Sequence, residues 1–183
     1  MNIFLKIEIS PSLKIVKSEI VTGKPAALEE PQDQCVKDLV ELVQRYVHGQ
    51  ADVNEVLPYL QLPRNNALIM LAVLSIPRGK VASYLQIANI VGTHPRVVGR
   101  AVASNPLPVL VPCHRVVHND GRLGGYSMSN PELKKVLLQL EGVEISSTGR
   151  VSRNSFVKEE NLREKFFRIL EAYRNLPERT VKL

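Results

Sequence analysis

Cys113 and Cys35 are the only cysteines in the chain, and Cys113 is followed at once by His114 and Arg115. A thiol is a useful nucleophile only as a thiolate, and a neighbouring base or cation favours that form. An apolar run leads into Pro112 and this trio, within Asn105–Val117 (Asn-Pro-Leu-Pro-Val-Leu-Val-Pro-Cys-His-Arg-Val-Val). A buried structural cysteine has no need of an imidazole and a guanidinium beside it, so the segment reads as a nucleophile with its activators. A hydrogen-bonded structural histidine is the plainer alternative for His114. A metal centre fits poorly. On an extended segment Cys113 and His114 would point to opposite sides, and Cys35 with His48 makes two ligands rather than four. Cys35 reads as a packed thiol and His48 as a helix-end imidazole.

The charge around Cys113 is one-sided. Val56–Asn119 carries six Lys/Arg and no acid, although the whole chain of 183 residues has 18 Asp/Glu. Either this is a core segment with little need of charge, or it presents a positive face to a polyanion such as nucleic acid. No apolar run reaches membrane-spanning length, and Met1–Ile9 alternates apolar and polar residues as a strand does, with Lys6 and Glu8 inside it. Two cysteines make no disulfide framework. These features point to an intracellular, cytoplasmic protein without a signal peptide and with no membrane partner.

Several elements must position the thiol. Asn2–Ile9 and Leu13–Val21 read as strands, and Asp33 caps a helix through about His48. Asp52 caps a shorter one. Leu62-Pro63 marks a domain joint, followed by an apolar helix over Arg64–Ile76 and a turn at Pro77–Lys80. Ser83 caps a helix ending at Gly92, and Pro95 opens another through about Ser104. Two short helices around a tight Gly-containing turn make a helix-turn-helix, and Arg96 and Arg100 share one face of the second. An ordinary helical hairpin with solvated arginines is the alternative. Beyond Cys113, Arg115–His118 and Arg122–Tyr126 read as a hairpin about Asn119-Asp120-Gly121, which would form a wing. Asn130 caps a helix with Leu133, Val136, Leu137 and Leu140 along its apolar stripe, Val143–Ile145 suggests a final strand, and Asn161–Arg174 is an amphipathic helix expected to dock. The fold class is α+β: a small N-terminal α/β domain over 1–61, a winged helix-turn-helix domain over 62–145, and a C-terminal extension over 146–183.

Pro112-Cys113-His114-Arg115-Val116 resembles the signature of the O6-alkylguanine-DNA alkyltransferases, which repair DNA by direct reversal of damage. Ser83–Ala88, Arg96–Gly99, Asn105-Pro106, Gly125-Tyr126-Ser127 and Leu137–Gly142 follow the family's order, so the resemblance covers about Leu62–Ile145. It implies an irreversible, single-turnover transfer of a methyl or other alkyl group from O6-alkylguanine, and less well from O4-alkylthymine, to Cys113. It further implies that Glu141 binds His114 and that His114 deprotonates Cys113 through a water. Tyr84 would donate a proton to the departing base. Arg96 would fill the space left by a nucleotide flipped out through the minor groove of duplex DNA, with Ser83, Tyr84, Arg100 and Arg115 as further DNA contacts. Asn105 would brace the turn before the cysteine segment. Pro108, Val116, Tyr126 and Ser127 would form the base pocket. No cofactor and no metal are implied, and a monomer is expected. Ser104 and Met128-Ser129 depart from the family pattern, which frequently has glycine there. The competing readings are a non-catalytic winged-helix protein that senses or flags alkylation damage, and a cysteine hydrolase, which would leave the helix-turn-helix unexplained.

Overall fold

The computed structural model describes residues 3–23, 31–124 and 131–177. Strands β1 (Ile3–Ile9) and β2 (Ile15–Thr22) pair antiparallel, with Phe4 opposite Val21 and Glu8 opposite Lys17. Helix α1 (Gln34–Val47) starts where the Asp33 carboxylate accepts the Cys35 and Val36 N–H groups, and it buries Leu39 and Val43. Cys35 is exposed rather than packed. It shares a helix face with Leu39, but residues 31–38 are all exposed or half-buried, so the first turn projects past the core. His48 does end the helix, its Nδ1 lying 2.7 Å from the Gln44 carbonyl oxygen. A reciprocal capping box between Asp52 and Glu55 sets α2 (Val53–Val56), and a 3-10 turn containing Pro58 follows it.

Helix α3 (Ala67–Leu74) is apolar all round, and Ile69 through Leu74 are buried, so it forms the centre of the molecule. Its predicted first turn, Arg64–Asn66, is 3-10 instead. The two helices that follow are α4 (Tyr84–Val91) and α5 (Pro95–Ala103), which pack on each other and on α3. Ser83 and Gln86 form the capping box that starts α4, and Gly92 ends it in the left-handed conformation at φ 70°. The helix-turn-helix thus forms from the capping and breaking residues expected of it.

The wing takes a different form. Cys113–Arg115 is a 3-10 turn, not an extended segment, and only Val116-Val117 (β4) is strand. β4 pairs in parallel with Ala82-Ser83 (β3), immediately before α4. The predicted turn exists, since the His118 N–H donates to the Arg122 carbonyl, but Arg122 bridges to Arg150. Long-range pairing with β3 and the C-terminal extension replaces the local hairpin. Gly125, Tyr126 and the capping Asn130 lie outside the described residues.

Helix α6 (Pro131–Leu140) buries Leu133, Lys134, Leu137 and Leu138, whereas Leu140 is exposed. The predicted stripe is therefore rotated, because Lys134, Leu138 and, just past the helix, Glu141 turn inward. Val143–Ile145 contributes only a single bridge, Ile145 to Val151. The segment after residue 145 is stitched to the start of α4 and to the turn after β4. Val81 exchanges hydrogen bonds with Ser155 and Val157, the Gln86 amide donates to the Val157 carbonyl, and Val151 N–H donates to the Gly121 carbonyl. Its last helix, α7 (Glu159–Arg174), buries Leu162, Phe166, Ile169, Leu170 and Tyr173 and packs on α2 and α3. One core runs from Ile15 in β2 to Tyr173 in α7. No described helix is long and apolar enough to cross a membrane.

Candidate active site

Cys113 lies on the 3-10 turn between α5 and β4, and it is buried. Its loop is held from three directions. The Asn105 amide donates to the Val111 carbonyl at 3.0 Å while its carbonyl oxygen accepts the Leu107 N–H. From β2, Ser18 donates its N–H to the Pro106 carbonyl and its hydroxyl to the Pro108 carbonyl at 2.8 Å. From α1, the Tyr46 hydroxyl donates to the Leu110 carbonyl at 3.1 Å, and burial pushes that phenol up to about 12. Within this clamp Val109 has φ 73°, a left-handed conformation that costs a β-branched residue about 1–3 kcal/mol.

The 3-10 turn brings His114 and Arg115 to one carboxylate. His114 Nε2 donates to Glu141 Oε1 at 3.0 Å, and Arg115 grips both carboxylate oxygens with bonds of 2.8 Å. A third Arg115 bond, 2.7 Å, goes to the Ile76 carbonyl. Arg115 is therefore not a DNA contact. Its guanidinium is spent inside the fold, where a planar fork suits a carboxylate. Burial alone would raise the Glu141 carboxyl, but the hydrogen bonds from His114 and Arg115 outweigh it and hold the group at about 2. Burial lowers His114, against the pull of Glu141. The imidazole is thus neutral at pH 7. With Nε2–H committed to Glu141, the lone pair resides on Nδ1, and Nδ1 is buried with no hydrogen-bond partner among the described residues.

Lys134 completes the site and was not anticipated. It is 1% exposed, and its Nζ donates to the Val116 carbonyl at 2.7 Å. Burial lowers it to about 8, and the charge of Cys113 acts against that. Helical spacing held a signal: Lys134, Leu138 and Glu141 fall at i, i+4 and i+7, two charges on an apolar face. Val116 uses its N–H on the Cys113 carbonyl and its carbonyl on Lys134, leaving one carbonyl lone pair for another donor.

Tyr84, the first residue of α4, is half-buried, and burial followed by the charge of Cys113 raises its phenol. Ser83 is corrected as a DNA contact. It is fully buried, and its hydroxyl accepts the Gln86 N–H as the helix cap. Arg96 and Arg100 are both exposed on α5. Pro108 is buried in the clamped turn, while Tyr126 and Ser127 lie outside the described residues. No group of three metal-binding side chains occurs among the described residues.

Fold and site define a helix-turn-helix protein with a buried thiol beside an imidazole backed by a carboxylate. Residues 66–143 match the family described as 6-O-methylguanine DNA methyltransferase, DNA binding domain. A methylated-DNA–protein-cysteine methyltransferase of Saccharolobus islandicus is 52% identical over 73 residues, 40% of this chain and 47% of that protein. One of Pyrobaculum aerophilum is 53% identical over 73 residues, 40% of this chain and 49% of that protein. The chain thus spans about half the length of these curated relatives. The crystal structure of O6-methylguanine-DNA methyltransferase from Pyrococcus kodakaraensis aligns with TM-score 0.59 and 26% identity, over 77% of this chain and 92% of that one. For the fold alone, the Mycobacterium tuberculosis protein OGT in complex with DNA aligns with TM-score 0.56 and 23% identity, over 86% of this chain and 91% of that one.

Proposed function

We propose that the protein is a single-turnover DNA alkyltransferase that moves an alkyl group from guanine O6 to Cys113. The observation that carries this is the His114–Glu141 bond on the residue that follows the buried Cys113, with the basic nitrogen of His114 buried and unpaired among the described residues. Glu141 fixes the tautomer, so Nδ1 accepts the Cys113 proton through a water, and Glu141 then steadies the imidazolium. The thiolate attacks the alkyl carbon. The carbon–O6 bond breaks with its electron pair going to the purine, and a thioether remains on Cys113. The ammonium of Lys134 favours the charged thiolate. Tyr84 supplies a proton as charge develops on the base. Asn105 holds the cysteine turn, and Pro108, Val116, Tyr126 and Ser127 bound the base pocket. No cofactor or metal enters the reaction.

The partner is duplex DNA carrying O6-alkylguanine, which a monomer approaches through the minor groove. Arg96 and Arg100 give α5 an exposed cationic face within the acid-free stretch. A reacting atom inside a duplex has to be extruded, and Arg96 fills the space left behind. Residues 62–145 form the catalytic unit, 1–61 and 146–183 its supports.

The test is to incubate the protein with duplex containing O6-methylguanine and weigh the Cys113 peptide. One added methyl per molecule, confined to Cys113, is the expected result. An unmodified peptide refutes the proposal, and turnover with a regenerated thiol indicates a hydrolase instead. For Arg96→Ala the repair rate should fall at least about tenfold while affinity for undamaged duplex, measured by anisotropy, falls by roughly threefold, the loss of one phosphate-range contact. Equal losses in both would remove Arg96 from the flipping step.

A further inference from the structure

Tyr84 has one neighbour that the chemistry above leaves unused. The His118 ring lies against it, with centroids 5.4 Å apart and planes tilted by 58°. Both polar edges converge over Gly124. A Cβ built there would sit 3.0 Å from His118 Nε2 and 3.3 Å from the Tyr84 hydroxyl oxygen. Gly124 has φ +72°, so both its backbone conformation and this close approach call for glycine. The His118 backbone is fixed on both sides: its N–H donates to the Arg122 carbonyl, and its carbonyl accepts the Gly121 N–H. Its side chain is exposed, whereas that of Tyr84 is half-buried and makes no hydrogen bond among the described residues.

This geometry bears on the proton. A phenol that gives its proton to the departing guanine becomes a phenolate, and partial burial disfavours that charge. Among the described residues, His118 is the titratable ring that touches Tyr84 and also reaches solvent. The other charged groups about its turn are already engaged, with Asp120 paired to both Arg122 and Arg150. Burial and then the charge of Cys113 raise the Tyr84 phenol.

We infer that His118 supplies the proton that Tyr84 passes to the departing guanine, an inference that rests on the alkyl-transfer reading above. Once the two polar edges over Gly124 close to hydrogen-bond reach with the base bound, the His118 Nε2–H proton moves to the Tyr84 oxygen as the Tyr84 proton moves to the purine. The phenol is restored, His118 is left neutral, and it recovers a proton from solvent. The Cys113 proton leaves separately, on His114, and the two histidines exchange their difference with bulk water.

The test is the single-turnover methyl-transfer rate at saturating protein, from pH 6 to 9, for wild type, His118→Phe, Tyr84→Phe and the double variant. His118→Phe keeps an aromatic ring on Tyr84 and removes the titrating nitrogen. His118→Phe should be about tenfold slower than wild type, and it should cost nothing further in the Tyr84→Phe background. A wild-type rate and profile in His118→Phe overturns the inference. So does a loss that adds fully to that of Tyr84→Phe, or a change confined to DNA affinity, which would mark a backbone contact. Failure of the wild type itself to methylate Cys113 overturns the underlying reading instead.

Discussion

Glu141→Leu is expected to destabilise the fold by about 3–5 kcal/mol, because removing one partner of a buried ionic cluster leaves the others without compensation. The carboxylate is 7% exposed and accepts from both His114 and Arg115, with Arg78 Nη1 3.8 Å away. Arg115, only 12% exposed, would keep its bond to Ile76 and lose both of those to the carboxylate. Denaturant unfolding at pH 7 reads the loss, and a change below about 1 kcal/mol would show that the cluster is not structural. Glu141→Gln keeps an acceptor for His114 and should fold more stably than the leucine variant. The same site sets an acid limit. The folded carboxyl titrates at about 2 against an ordinary 4.5. A depressed value contributes stability that is fully present above pH 4.5 and is lost as pH falls through 2, about 3 kcal/mol in all. The leucine variant should lack this portion of the acid transition.

What the sequence made legible follows from locality. Asp33, Ser83 and Gly92 act on backbone groups within four residues, so α1 starts and α4 starts and stops where these caps and breakers stand. The Cys113–His114–Glu141 grouping was readable only through family resemblance, since nothing local joins residues 27 positions apart. The place of Arg115 was beyond such reasoning, and for Lys134 the one signal was its helical spacing from Glu141 on an apolar face. A charged side chain defaults to solvent, and both are drawn inward by partners on other elements, Glu141 and Ile76 for one and the Val116 carbonyl for the other. That inward turn also explains why Leu140 is left exposed. The wing failed as a hairpin for the same reason: Val116-Val117 gains more from Ala82-Ser83 than from its neighbour in sequence.

The N-terminal strands and α1, which hold no catalytic group, gain a purpose from the clamp on residues 105–111. Ser18 and Tyr46 reach from two elements to the alternate carbonyls of Pro106, Pro108 and Leu110 around the strained Val109. A left-handed valine persists only where its surroundings over-determine it. The N-terminal region thus acts on the site through backbone geometry, setting where the Cys113 turn begins. The extension acts in the same way on α4 through Gln86, and so on Tyr84 at its first position.

Cys113→Ser should abolish methyl transfer while leaving DNA binding and the fold in place. An alcohol holds its proton far more tightly than a thiol, and His114, held neutral by burial, is too weak a base to remove it. The substitution is nearly isosteric, and the neighbouring Cys113 N–H bond to the Val111 carbonyl, 2.7 Å, belongs to the backbone. The cost of burying a hydroxyl there is about 1–3 kcal/mol, readable as a modest fall in unfolding midpoint. Arg96 and Arg100 lie on α5, apart from the cysteine turn, so affinity for duplex should change less than twofold, roughly the spread expected of a mutation with no shared contacts. Labelling the O6-methyl group with tritium and counting protein-bound radioactivity separates the outcomes. Label on the serine variant would mean that another side chain accepts the methyl group. Loss of both labelling and DNA binding would mean that Cys113 supports the fold of the DNA-binding face rather than the chemistry.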